Sequence, residues 1–300
     1  MLKVRIPATS GNLGPGFDTI GMAFRLYNYI TFEVLAEGLE IEVSGEGAEE
    51  ISRGEDNIVY QAAKKVFDKV NYHPSGLRIK LENNIPIARG MGSSASIIGG
   101  GMLLANEISG AYLSKDEIFK MAVEMEGHPD NIAPAIFGGM TISVVGIDRV
   151  DCLKIEPPKE LHGIFAIPDF QLSTMTARKV IPVMIDRSDA VFNISRSSLM
   201  VGALMNGDLN LFGKMMEDRL HQPYRMSLIP GMQDVFNQAK ERGALSVAIS
   251  GAGPTLIAFV TGDGTEVAEA MVKAFKKHGI SAKTLDLYPD VQGAVLVKTD

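Results

Sequence analysis

The chain has 300 residues, 46% hydrophobic and 22% charged, an ordinary globular composition with enough length for one large or two medium cores. A net charge of -7 leaves no basic surface to draw counterions from nucleic acid or to hold an anionic membrane, so an anionic ligand must be bound by local features. The single cysteine, Cys152, excludes internal disulfides and a Cys-based zinc cage, and no stretch reaches the roughly 18 apolar residues of a membrane span.

Cys152 reads as small apolar filler within Val150-Asp151-Cys152-Leu153. No apolar signal region opens the chain, so a cytoplasmic protein is the expectation. In chain order, strands rich in Val, Ile, Phe and Tyr are predicted at 2–6, 29–35, 39–44, 77–81 and 141–145. Helices are predicted at 57–70, 94–108 and 114–126, the last opened by Ser114-Lys115-Asp116-Glu117, an N-cap followed three residues on by Glu. Glu156-Pro157-Pro158-Lys159 then interrupts the pattern, which sets expected domains at 1–158 and 159–300. Beyond it come a strand at 162–167, helices at 189–206 and 208–218, strands at 246–250 and 255–260, a helix at 266–277 and a last strand at 293–298. With no fixed repeat, this order predicts an α+β architecture, its second half an antiparallel sheet with helices on one face.

The most informative break is Pro86-Ile87-Ala88-Arg89-Gly90-Met91-Gly92-Ser93-Ser94-Ala95-Ser96, which runs straight into an apolar helix. Glycines at 90 and 92 let backbone amides turn inward, Ser93 and Ser94 are expected to cap the helix, and its positive end faces the loop as a ready anion site. The following Gly99-Gly100-Gly101 costs helix stability and implies close backbone packing or a ligand. No Walker A lysine motif occurs. The spacing Gly90, Gly92, Ala95 also fits a dinucleotide fingerprint, but eight residues, 82–89, separate it from the preceding strand, and no acidic-ended parallel strand follows.

The loop, with Pro7-Ala8-Thr9-Ser10-Gly11-Asn12-Leu13-Gly14-Pro15-Gly16-Phe17-Asp18 before it and Ile249-Ser250-Gly251-Ala252-Gly253-Pro254-Thr255 after it, resembles the motif set of the galactokinase, homoserine kinase, mevalonate kinase and phosphomevalonate kinase (GHMP) family. The resemblance spans nearly the whole chain. It implies a GHMP kinase fold, with an N-terminal ribosomal-protein S5-like domain and a C-terminal ferredoxin-like α/β sandwich domain. It also implies ATP and Mg²⁺, a small-molecule substrate and a homodimer. Three further segments, residues 126–134, 173–178 and 218–225, are similar to the homoserine branch, implying L-homoserine as the substrate and a place in threonine biosynthesis.

The resemblance assigns Asn12, Asp18, His128, Asp130, Thr174, Arg178, Arg225 and Gly253 to an amino-acid pocket, where a zwitterion needs cationic forks such as Arg178 and Arg225. It assigns the loop residues 86–96 to ATP, with adenine near Asn57, and Mg²⁺ to Ser94 and a carboxylate before His128, Glu126 in preference to Glu124. Asn131 stands where mevalonate and galactose kinases have an aspartate. An amide takes no proton, so Asn131 is expected to orient the attacking oxygen, with Asp130 the reserve base. A non-catalytic sensor of the same fold is the rival reading.

Overall fold

The fold is seen in a computed structural model that describes residues 1–147 and 149–297. The first half contains β1 (Leu2–Gly11), β2 (Ile20–Leu35), β3 (Gly38–Gly45), α1 (Ile58–Val70), β4 (Gly76–Asn83), α2 (Ser93–Ser109), α3 (Lys115–Glu126), α4 (Ile132–Phe137), β5 (Met140–Val145) and β6 (Val150–Ile155). The second contains β7 (Leu161–Pro168), α5 (Thr174–Lys179), α6 (Arg187–Met205), α7 (Leu209–Lys214), α8 (Gln222–Arg225), α9 (Met232–Glu241), β8 (Ser246–Ile249), β9 (Leu256–Thr261), α10 (Thr265–Lys277), β10 (Ala282–Leu287) and β11 (Val295–Val297).

β1 and β2 extend well beyond the predicted strands. Pro7 has no N–H to give to a ladder, and the register shifts beside it: Pro7 faces Tyr27 while Ala8 faces Phe24. The two extra residues of β2 form a bulge that breaks the alternation a sequence reading relies on. The sheet runs β11-β1-β2-β4-β3, with β5 added on β2 and β6 on β5. Only the β3–β4 pair is parallel among the named pairs. β6, α4, α5, α8, α9 and β10 were not predicted, and α7 stops at Lys214 instead of 218. β11 leaves the second half to pair with β1, and Lys298, the end of the predicted last strand, lies outside the described residues.

α1 to α4 cover one face of this sheet. Asn57 caps α1, its Oδ1 accepting from Val59 and Tyr60 N–H, and the predicted capping box of Ser114 and Glu117 opens α3. α2 lies very close to its neighbours: a Cβ on Gly100 would come within 2.7 Å of Ile30, and one on Gly101 within 2.9 Å of the Val59 carbonyl. The glycine run is therefore a packing feature, and Cys152 packs against the same core as filler.

The second sheet is antiparallel, in the order β10-β7-β9-β8. Along β7, Ile164 and Ala166 face a core shared with α9 and α10, while Phe165 and Ile167 face the first half. Phe24 of β2 meets Phe165 edge-on with ring centroids 4.8 Å apart. Each such buried ring contributes about 1.5–3 kcal/mol, and the cluster to which both rings belong joins the two halves, between a core within the first half and another within the second.

Candidate active site

The loop from β4 enters α2 through Gly92, whose φ of +70° is the left-handed conformation glycine adopts without strain. A Cβ there would lie 1.9 Å from Thr9 Oγ1, so glycine is needed for space as well. Ser93 and Ser94, expected as caps, do not cap: Gly92 holds the cap position and no side chain bonds the first amides of α2. A capping side chain must stand just outside the helix, whereas both serines are already helical. Ser93 Oγ donates to Asn83 Oδ1 at 3.5 Å, and Ser94 Oγ donates to Glu126 Oε2 at 2.9 Å. The first turn also holds no acidic residue, so its N–H groups and positive dipole remain available to an anion.

The loop is pinned to the second half of the chain. Ser250 Oγ donates to Gly90 O at 2.7 Å, and Leu172 N–H to Ala88 O at 3.0 Å. The Arg89 guanidinium donates to the carbonyls of Ile87, Pro168 and Asp169, which ties it to protein and not to a phosphate.

Glu126 is the last residue of α3 and half-buried, whereas Glu124 points to solvent. Burial pushes the Glu126 carboxyl above its ordinary range, the hydrogen bond from Ser94 and the His128 charge opposing that. A half-buried carboxylate beside a hydroxyl is a fitting seat for Mg²⁺, which asks for few protein oxygens. His128 Nδ1 lies 2.7 Å from Asp130 Oδ1. Burial alone would lower the His128 pKa, but the Asp130 hydrogen bond and the charges of Asp130 and Glu126 outweigh it, and the net shift is upward. Asn131 stands at the start of α4 and bridges two groups: Thr9 Oγ1 donates to its Oδ1 at 2.9 Å, and its Nδ2 donates to Asp130 Oδ1 at 3.3 Å.

Two arginines face these acids. Arg178 grips Asp18 with both terminal nitrogens, at 2.9 and 2.5 Å, so the fork expected for a ligand carboxylate already holds an internal one. Arg225 is 1% exposed. Its Nε donates to Ala177 O, and its Nη1 to Gly251 O and to His221 Nδ1. No acceptor for Nη2 occurs among the described residues. Burial, with the neighbouring Arg178 charge, pushes Arg225 down to about 10. Phe17 lies beneath both guanidiniums, at 5.5 and 5.6 Å, and stacks on His221 at 5.2 Å.

These groups line one cavity of about 520 Å³. Every position assigned to substrate, ATP or Mg²⁺ borders it except Asp18, Ala95, Ser96 and Gly253, and Glu124, the alternative to Glu126, does not border it either. Asp18 reaches it through Arg178, Ala95 and Ser96 are buried one turn into α2, and Gly253 lies behind Gly251 and Ala252, which do line it. Asn12 spends its amide on the protein, donating to Gly251 O at 2.7 Å and accepting from Asp18 N–H at 3.0 Å. Asn57 likewise caps α1 and donates to Ser52 O. Thr9, Asp218 and His221 carry no assignment from the sequence, although they lie within the motif segments 7–18 and 218–225. Asp218 accepts the N–H groups of Leu220, His221 and Gln222, and His221 supports Arg225 from behind.

The fold and the cavity together define a small-molecule kinase of the GHMP class. Residues 57–139 match the GHMP kinases N terminal domain and residues 200–277 the GHMP kinases C terminal domain, a family that uses ATP. A homoserine kinase of Moorella thermoacetica is 47% identical over 99% of this chain and 100% of its own. One from Clostridium botulinum is 44% identical over 100% of both. The crystal structure of homoserine kinase from Cytophaga hutchinsonii superposes with a TM-score of 0.90 at 28% identity, covering 99% of this chain and 97% of the other. The chain belongs to the homoserine kinase family of enzymes. No helix among the described residues is long and apolar enough to cross a membrane.

Proposed function

We propose that the chain transfers the γ-phosphoryl group of ATP to the side-chain hydroxyl of L-homoserine, giving O-phospho-L-homoserine and ADP on the branch of amino-acid biosynthesis toward threonine. The observation that carries this is the convergence, in one cavity, of an uncapped helix N-terminus, the Ser94–Glu126 pair and a balanced set of acids and arginines. The amides of α2 hold phosphate oxygens. Ser94 and Glu126 would hold Mg²⁺, which when bound neutralises phosphate charge.

A zwitterion is matched by the other wall. Its carboxylate takes the open Nη2 of Arg225 and competes with Asp18 for Arg178. Its ammonium takes Asp130 and the released Asp18, whose ligand atoms lie with that of His128 within 4.8 Å of one another. His128 and Arg178 already balance those carboxylates, which suits an ammonium better than a second metal ion. Asn131 donates to the attacking oxygen. Phosphoryl transfer through a loose transition state needs little base assistance, so positioning suffices without a proton acceptor. The family resemblance further supports a homodimer working in the cytoplasm.

The test is ADP release across a panel of L-homoserine, L-serine, L-threonine, mevalonate and galactose with ATP and Mg²⁺. Turnover of homoserine is expected. Turnover of mevalonate or galactose with homoserine inert, or nucleotide binding without ADP release on any substrate, overturns the proposal.

A further inference from the structure

We infer that Thr9 is a positioning residue for phosphoryl transfer, its hydroxyl joining Asp130 in holding the Asn131 amide so that an N–H, not the carbonyl, meets the substrate hydroxyl. This rests on the reading of Asn131 as the group that orients the attacking oxygen. Asp130 is 2% exposed and its carboxylate can only accept, so the amide edge facing it must be the NH₂. The carbonyl edge then faces Thr9, and Thr9 must be the donor, with its only proton committed to Asn131 Oδ1 at 2.9 Å. One N–H of Nδ2 goes to Asp130, and the other is left for the cavity that Asn131 lines.

Asp130 and Thr9 hold the Asn131 amide from its two edges. Asn131 occupies the cap position of α4 but makes no capping bond. Thr9, by contrast, is held firmly: it is 1% exposed, sits in β1 opposite Ala23, and donates its own N–H to Met91 O at 3.0 Å. The missing Cβ of Gly92 leaves the hydroxyl its place. Thr9 thus links the cap of α2, where phosphate is proposed to bind, to the amide that meets the acceptor hydroxyl. Without the Thr9 proton the buried Oδ1 loses its donor and the amide is held through Nδ2 alone, by a bond of 3.3 Å, so it can swing out of line with the attacking oxygen.

Thr9→Val keeps the shape and removes the donor, whereas Thr9→Ser keeps the donor. Each is made alone and with Asn131→Ala, and kcat, KM for homoserine, KM for ATP and Tm are measured. Thr9→Val is expected to lower kcat about 10- to 100-fold while both KM values stay within about 3-fold of the parent. Thr9→Ser should restore kcat, and in the Asn131→Ala background Thr9→Val should cost nothing more. Parental kcat in Thr9→Val with Asn131→Ala slow overturns this inference alone. So does an equal loss from Thr9→Val in both backgrounds, or a serine variant as slow as the valine one. Parental kcat in Asn131→Ala overturns the reading of Asn131 and this inference with it.

Discussion

Ser94, in the first turn of α2, donates its hydroxyl to Glu126 Oε2 at 2.9 Å across a gap of 32 residues in sequence. One hydrogen bond thereby joins the phosphate-facing helix to the carboxylate that ends α3. Because no side chain caps α2, the Ser94 hydroxyl has no capping energy to lose. Ser94→Ala is expected to lower kcat on the order of 100-fold and to leave Tm nearly unchanged. A variant with parental kcat and a lowered Tm would make the hydroxyl structural.

The two-pronged Arg178–Asp18 pair predicts where a substrate defect appears. Both side chains are about a third exposed, at 36% and 34%, so the pair is worth no more than about 1 kcal/mol of stability. Asp18→Asn should therefore leave Tm within a few degrees while raising KM for homoserine about 10-fold or more, with KM for ATP unchanged. A large Tm loss at unchanged KM would show that the pair is structural.

Positioning and base catalysis separate at the Asp130-Asn131 step. Asn131→Asp should leave activity level or lower it, since a carboxylate beside the γ-phosphate adds repulsion and supplies no needed proton acceptor. Asp130→Asn should mainly raise KM for homoserine, because the ammonium contact exists in ground and transition states alike. Loss of kcat in Asp130→Asn at constant KM, with a pH profile that loses its acidic limb, would make Asp130 a general base.

Much of this was legible in the sequence, and the failures have physical causes. The Ser114 capping box is a local requirement written in four consecutive residues, and the Gly99-Gly100-Gly101 run announces close packing because glycine has no other reason to stand mid-helix. The first part of β2 was hidden by the bulge opposite Pro7, and β6 by its place at a sheet edge, where several side chains face solvent and the apolar pattern fades. α9 carries a readable stripe at Met232, Val235 and Ala239, but in only 10 residues. The serines of α2 read as caps because Gly92 offers no side chain to compete for the position. That Asp18 occupies the Arg178 fork, or that Thr9 reaches Asn131, depends on chain segments far apart and has no local signature.

His221 gives the account a pH dependence. It is fully buried, its Nε2 donates to Gly14 O at 2.8 Å, and its Nδ1 accepts from Arg225. Burial lowers its pKa from the ordinary 6.5, with Asp218 opposing. The unfolded chain therefore takes up a proton below about pH 6.5 that the folded one refuses, so this contribution to stability is complete above that pH and is lost as pH falls through it. Between pH 7 and 5 the Tm of the parent should lose ground relative to that of His221→Gln. Identical slopes in the two proteins would contradict the assignment of a neutral buried imidazole.

The central claim is that the hydroxyl of homoserine receives the phosphoryl group. Phosphorus NMR of a reaction containing L-homoserine, ATP and Mg²⁺ tests it most directly. The account predicts a new phosphomonoester signal, split into a triplet by the adjacent side-chain methylene protons and growing in step with ADP. ADP accompanied only by inorganic phosphate, or an ester that forms on mevalonate or galactose and not on homoserine, would contradict it.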